Sequence, residues 1–145
     1  MDRPKHSGLR HLALNTRNLE AMRHFYVDLL GFRVLYARPE DRFAFLEREG
    51  AELMLEQPMT HDRLWPNAEL AKQFGRGVNF EIKVSNVDQL HSVIVAAGED
   101  CFLPIEERWY RRNDLELGVR QFAVQDPDGY IIRLSQSIGN RPAQR

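Results

Sequence analysis

The chain contains a single cysteine, Cys101, which excludes both an internal disulfide and a cysteine-based metal cluster. Its next two neighbours, Phe102 and Leu103, are apolar, and this favours a small packed side chain over a reactive thiol. The sequence also lacks a glycine-rich phosphate loop and a nucleophile elbow. Nucleotide hydrolysis and covalent hydrolase chemistry therefore have little support.

Long apolar runs and an excess of one charge are missing as well. No stretch approaches the roughly 20 apolar residues that a membrane span needs. The 20 Lys and Arg residues against 21 Asp and Glu residues leave a formal net charge of -1, so no overall field gathers nucleic acid or an anionic membrane. We expect a cytoplasmic protein with no nucleic-acid partner and no membrane partner.

What is present is a hydrophobic content of 43% in 145 residues, enough to bury one core in a single domain spanning residues 1–145. Two-residue alternation predicts a strand, and apolar residues at helical spacing after Asn18 predict an amphipathic helix that stops at Gly31. Three β-rich runs follow. The predicted elements of this first module, about 9–57, are a strand at 9–15, a helix at 19–30 and strands at 32–36, 43–47 and 52–57.

The same order of elements returns after a linker at 58–76, in which a helix is predicted at 67–74. His11 aligns with Asn79, and Leu19 with Val87, both 68 positions later. The predicted elements of this second module, about 77–137, are a strand at 78–84, a helix at 87–97 and strands at 101–107, 119–125 and 130–136, before a frayed tail at 139–145. The repeat predicts an α+β fold of two tandem βαβββ modules.

Two segments carry a family pattern. One begins His11-Leu-Ala-Leu-Asn-Thr and continues to Leu29-Leu-Gly-Phe, and the other runs from Gly118 to Tyr130 through Asp126-Pro-Asp-Gly. Over roughly residues 9–137 the chain resembles the vicinal-oxygen-chelate superfamily, which includes glyoxalases, bleomycin-resistance proteins and dioxygenases. The resemblance implies that the curled mixed sheets of the two modules form a cleft.

The resemblance also indicates where a metal would bind. Enzymes of that family hold a divalent cation with four side chains, and the matching positions here are His11, Met54, Asn79 and Arg133. Only His11 is a good ligand, and Arg133 brings a permanent positive charge to the metal position. We therefore expect no resident metal, no cofactor and no catalytic residues.

Strand alternation separates a face that packs on the helices from a face that lines the cleft. The predicted helix-facing residues are Leu12, Leu14, Leu53, Leu55, Val78, Phe80, Ile82, Val84, Ile132 and Leu134. The predicted cleft-facing residues are His11, Ala13, Asn15, Glu52, Met54, Glu56, Asn79, Glu81, Lys83, Gln121, Ala123, Ile131, Arg133 and Ser135. This polar set leads us to expect an ion pair of Arg133 with Glu81 or Glu56. Two alternatives stay open: a metal site of His11, Glu56 and Glu81, and a solvated face for the carboxylates.

Aromatic residues suggest what the cleft binds. Trp65 lies in the linker, and Phe102, Trp109 and Tyr110 lie in or near a polar stretch at about 108–118, between two predicted strands. These aromatic side chains are suited to cap the cleft over a planar ligand. Core packing or a dimer interface would also use them. The polar stretch itself has no clear period, and we expect it to be irregular and mobile. The candidate ligand-binding residues are His11, Glu56, Trp65, Asn79, Glu81, Phe102, Trp109, Tyr110 and Arg133.

Because only one of the four metal positions carries a good ligand, binding without catalysis is the leading functional hypothesis. The chain would bind or sequester a small planar or aromatic ligand, with a bleomycin-type antibiotic as the ligand and a homodimer as the assembly that the resemblance implies. The first alternative is a metal-dependent glyoxalase, lyase or dioxygenase of the same fold. The second is a structural or regulatory module whose sheets serve only to dimerise.

Overall fold

The computed structural model describes residues 12–59 and 73–144, and each module follows the predicted order βαβββ. The first module consists of β1 (Leu12–Asn15), α1 (Leu19–Arg23) with a π-helical continuation (His24–Leu29), β2 (Arg33–Arg38), β3 (Phe43–Arg48) and β4 (Ala51–Glu56). The second module consists of β5 (Asn79–Lys83), α2 (Val87–Ala96), β6 (Cys101–Arg112), β7 (Leu115–Gln125) and β8 (Ile131–Pro142).

Each module forms its own four-stranded mixed sheet. The strand orders are β1-β4-β3-β2 and β5-β8-β7-β6. The first and last strands of each module pair in parallel, and the other neighbours pair antiparallel. A parallel pair needs a crossover connection, and the helix of each module begins that connection directly after the first strand. The predicted α+β fold of two modules is confirmed.

One buried cluster of apolar side chains includes residues from both sheets and both helices. It contains Leu55 on β4 and Leu134 on β8, the last strands of the two modules in chain order, together with Phe25 and Ile94 from the helices. The predicted helix-facing set is right except at Val78, which lies before β5 and is 49% exposed. No helix in the described ranges is long and apolar enough to cross a membrane.

The predicted helix at 19–30 is confirmed in position but is not α-helical throughout. Asn18 caps it as predicted, its side chain accepting a hydrogen bond from the Ala21 amide at 3.1 Å. From residue 24 the helix widens to π geometry, in which the Leu30 amide donates to the Phe25 carbonyl at 3.0 Å. Phe25 and Tyr26 are both fully buried within this wider turn.

The polar stretch after Glu107 is a β-hairpin, so the prediction of an irregular segment was wrong. Strands β6 and β7 pair up to Arg112 and Leu115, joined by a two-residue turn. Asn113 in this turn has a left-handed φ of 55°, which asparagine tolerates better than most residues. The tail was also wrongly predicted, because β8 continues to Pro142 and pairs there with Leu115.

Parts of the linker and the N-terminus lie outside the described residues. These are residues 1–11, including the first three positions of the predicted 9–15 strand, and residues 60–72, including most of the predicted 67–74 helix. Phe74, near the start of the second described range, is buried, and its amide donates to the Asp128 carbonyl at 2.9 Å.

Several hydrogen bonds join the modules, and two of them are donated by tyrosine hydroxyls. The Tyr26 hydroxyl, on the first helix, donates to Asp126 Oδ2 at 2.7 Å, and the Tyr130 hydroxyl donates to the Asn15 carbonyl at 3.0 Å. Burial raises the pKa of Asp126 to about 6, despite hydrogen bonds from Tyr26 and two backbone amides that lower it. Burial also raises the pKa of Tyr130 to about 12. The Asp-Pro-Asp-Gly turn therefore connects the modules as well as reversing the chain.

Candidate functional site

An open cavity of about 630 Å³ lies on the face of the second sheet that is turned away from α2. This volume is in the range of small-molecule sites. All four strands of the sheet contribute to it, because residues at alternate positions of each strand point to the same face. The described residues that line it are Glu81, Lys83, Tyr110, Arg112, Leu117, Gly118, Val119, Gln121, Arg133, Ser135, Ser137, Gly139 and Asn140.

An ion pair lies in the cavity where the resemblance places a metal ligand. Glu81 and Arg133 are direct neighbours on the parallel strands β5 and β8, and an Arg133 Nη atom donates to Glu81 Oε2. The Ser135 hydroxyl donates to the other oxygen, Glu81 Oε1, at 3.2 Å. The predicted pairing of Arg133 is thereby confirmed, with Glu81 as the partner. Arg133 Nε is buried and has no hydrogen-bond partner within the described ranges.

A second polar group fixes the aromatic wall of the cavity. Gln121 is buried on β7, and its side-chain amide donates to the Tyr110 hydroxyl at 3.0 Å and to Glu106 Oε1 at 3.2 Å. Both acceptors lie on β6, so one amide holds two side chains of the neighbouring strand. Because Tyr110 is held by its hydroxyl, its ring is available as an apolar surface.

Three of the four side chains at the family's metal positions do not suit a divalent metal. Met54 offers only a weak thioether ligand, Asn79 is exposed at the start of β5, and Arg133 is a cation bound to the nearest carboxylate. Across residues 12–59 and 73–144, no group of three His, Cys, Asp or Glu side chains could hold a metal ion. We therefore derive no chemistry through a metal in this cleft.

The structure brings three of the nine candidate residues to the cavity: Glu81, Tyr110 and Arg133. Trp109 alternates with Tyr110 and packs on the other face of the hairpin, where the guanidinium of Arg141 stacks on its ring at 4.0 Å. Phe102 is 65% exposed and Asn79 is exposed, and neither is among the described lining residues. His11 and Trp65 lie outside the described residues.

Glu56 lies on the first sheet, where an aromatic cluster covers the face opposite the core. It pairs in register with Phe43 and Asn15. Arg38 places its guanidinium over the Phe43 ring at 4.0 Å, and the ring of Tyr36 stacks on Phe45 with centroids 5.1 Å apart. This cluster was not predicted, although the alternation of Phe43 and Phe45 with apolar neighbours carried the signal. Glu56 is not among the described residues that line the Glu81 cavity.

Sequence reasoning missed part of the cavity as a binding surface. Lys83, Gln121 and Ser135 were predicted to face the cleft but were not chosen as ligand-binding residues. Arg112 and Leu117 were missed because they lie on a part of the hairpin for which the sequence pattern predicts an irregular segment. The alternation of residues 109–112, followed by the turn-forming residues 113–114, was the available signal.

Solved structures with the same fold cover nearly the whole chain. A virulence protein from Salmonella typhimurium, STM3117, has a TM-score of 0.66 at 20% identity, with 95% of this chain and 98% of that chain covered. TioX from Micromonospora sp. ML1 has a TM-score of 0.66 at 21% identity, covering 89% and 95%. A lactoylglutathione lyase from Agrobacterium tumefaciens has a TM-score of 0.58 at 20% identity, covering 92% and 96%. At these identities the likeness shows the fold alone.

The sequence itself carries the family assignment. A search of curated proteins found no significant match. Residues 8–134 match the family model for the Glyoxalase/Bleomycin resistance protein/Dioxygenase superfamily, which includes nearly all of both modules. This chain therefore belongs to the glyoxalase, bleomycin resistance protein and dioxygenase superfamily.

Proposed function

We propose that the chain binds a small planar or aromatic molecule in the cavity of the second sheet and sequesters it without chemical conversion. The observation that carries this proposal is the pair of Arg133 with Glu81, which puts a guanidinium at a position where metal-dependent relatives need a ligand. A guanidinium stays protonated and cannot coordinate a cation. Within the described ranges the cleft therefore keeps the shape of a binding site, and the cation at position 133 disfavours binding of a metal there.

The walls of the cavity support an aromatic ligand. Tyr110 presents its ring, and Leu117 and Val119 add apolar surface from the neighbouring strand. A planar molecule placed there would bury apolar area on one side and meet the polar groups of β5 and β8 on the other. This combination of an apolar wall and a few fixed polar groups is typical of small-molecule sites.

The identity of the ligand and the assembly remain predictions. The resemblance suggests a bleomycin-type antibiotic as the ligand and a homodimer as the assembly. The lyase among the structural neighbours would suggest a glyoxalase-type reaction, but its likeness shows the fold alone. We therefore prefer binding without turnover, because the metal-position residues of this chain favour it.

The test uses protein dialysed against EDTA and a panel of planar aromatics that includes metal-free bleomycin. Thermal shift selects ligands, calorimetry measures their affinity and stoichiometry, and mass spectrometry of the recovered ligand detects any conversion. Ser137→Trp fills the cavity from β8, where Ser137 is an exposed lining residue. Ser92→Trp adds the same side chain to an exposed position of α2, away from the described lining residues, and serves as the matched control.

The expected result is saturable binding of about one ligand per chain with a Kd in the micromolar range or tighter, or about -8 kcal/mol. Ser137→Trp should abolish that binding, Ser92→Trp should preserve it, and the ligand should be recovered unchanged. Conversion of a ligand only when a divalent metal is added would contradict the proposal and support a metal-dependent enzyme instead.

A further inference from the structure

The cavity of the second sheet carries a surplus of positive charge. Its described lining residues include three cationic side chains, Lys83, Arg112 and Arg133, and one carboxylate, Glu81. The formal charges therefore sum to two positive charges, whereas the whole chain has a net charge of -1. Charges that line a concave, partly enclosed surface act on a ligand more strongly than the same charges on an open surface.

The one carboxylate of the cavity is already engaged. Glu81 accepts hydrogen bonds from Arg133 on one oxygen and from Ser135 on the other. Lys83 and Arg112 form no ion pair with any residue in the described ranges. Two other arginines of the same sheet are paired with carboxylates: Arg120 binds Asp88 at 2.8 Å, and Arg141 binds Glu116 at 2.7 Å.

Arg133 adds a second observation, independent of the charge count. Its Nε hydrogen is buried and has no acceptor in the described part of the chain. A buried donor without an acceptor is costly, and proteins usually satisfy such groups. An anionic group bound beside Arg133 would supply an acceptor to the guanidinium and a counter-charge to Lys83 and Arg112.

Building on the proposed function, we infer that the cavity selects aromatic anions, with the carboxylate or sulfonate bound near Lys83 and Arg133, while Arg112 on the opposite edge strand β6 adds to the positive potential. The ring system lies on Tyr110 and the neighbouring apolar side chains, and the acidic group lies toward β5. Cationic molecules of the same shape are excluded by the charge of the lining. This preference is opposite to the one that a cationic antibiotic would require.

The test compares two fluorescent probes that share the same rings. The anion is 8-anilinonaphthalene-1-sulfonate, and the neutral analogue is N-phenyl-1-naphthylamine, which lacks the sulfonate. Each is titrated into the full chain, the Lys83→Gln/Arg112→Gln double variant and the Arg111→Gln control. Arg111 is exposed next to Arg112 on β6 and alternates to the other face of the hairpin, so its removal changes net charge without changing the cavity.

We expect the anion to bind at least about tenfold more tightly than the neutral probe, because the sulfonate adds charge-assisted hydrogen bonds that the neutral probe cannot form. The double variant should lose that preference, while Arg111→Gln keeps it. Raising the salt concentration from about 0.05 to about 0.5 M should weaken the binding of the anionic probe and leave that of the neutral probe unchanged, because salt screens interactions between charges.

The other outcomes separate the two proposals. Equal binding of both probes, unaffected by the double variant but abolished by Ser137→Trp, would overturn the anion preference and leave the proposed binding function intact. Absence of binding by either probe, with no ligand found in the wider aromatic panel, would overturn both. An anion preference that survives the double variant would show that Lys83 and Arg112 do not create it and would overturn the inference.

Discussion

The hydrogen bond between Tyr26 and Asp126 allows a quantitative test of how the modules are joined. Tyr26→Phe removes only the hydroxyl that donates to Asp126 Oδ2 at 2.7 Å, and both residues are buried. When Asp126 is ionised, losing this donor should cost about 2 kcal/mol of unfolding free energy, the usual size for a hydrogen bond to a charged group. When Asp126 is protonated the bond is neutral, and its loss should cost about 1 kcal/mol.

The pH range follows from the pKa of Asp126, which rises from an ordinary value of 3.8 to about 6 on folding. The folded state then holds the proton more tightly than the unfolded state. The stability that Asp126 contributes is fully present below about pH 4 and is lost as the pH rises to about 6. At 1.36 kcal/mol per pKa unit, the two-unit shift corresponds to about 3 kcal/mol.

Urea denaturation of the wild type, Tyr26→Phe and Asp126→Asn at pH 5 and pH 8 provides the measurement. Tyr26→Phe should lower the free energy of unfolding by about 1 kcal/mol more at pH 8 than at pH 5. Asp126→Asn cannot ionise and should remove this part of the pH dependence, which separates it from the other carboxylates. An equal cost of Tyr26→Phe at the two pH values would refute the reasoning, because it would mean that Asp126 does not change charge between them.

Three further predictions concern packing, the thiol and a helix cap. Gly118→Ala should cost about 1–3 kcal/mol in urea denaturation, because the added Cβ would lie 2.8 Å from the Trp109 ring; an unchanged midpoint would contradict the hairpin packing. Burial raises the pKa of the Cys101 thiol, so its reaction with Ellman's reagent at pH 8 should be slower than in urea, and equal rates would contradict its packing. Asn86→Ala should cost about 1 kcal/mol because the Asn86 side chain caps α2 at the Gln89 amide, whereas Asn86→Ser should retain most of that stability.

Much of the fold could be predicted because local patterns determine it. Asn18 and Asn86 cap the two helices, and two-residue alternation separates Leu53 and Leu55 from the opposite face of β4. The π-helical turn was not predictable, because its buried Tyr26 has a partner 100 positions away in the chain. Such long-range partners leave no local period in the sequence.

The hairpin was missed for a different reason. Residues 108–116 are mostly charged and exposed on both faces, so the apolar alternation that marks a half-buried strand is weak there. Pairing with β8 stabilises this part of β7, and the sequence does not show how far a neighbouring strand extends. Because Tyr110 and Arg112 lie in this region, the error about the hairpin also removed one wall of the cavity from the prediction.

The pair formed by Arg133 and Glu81 suggests how a single residue changes the charge of a cleft. The strand register fixes the two residues as neighbours on β5 and β8, whatever their side chains are. A carboxylate at 133 would attract a cation to this point, whereas the guanidinium repels cations and attracts anions. The backbone therefore supplies the position of the site, and we expect the residue at 133, together with Lys83 and Arg112, to set the sign of the ligand charge. On this reasoning, relatives with Arg or Lys at this position should bind anions without a metal, irrespective of their overall charge.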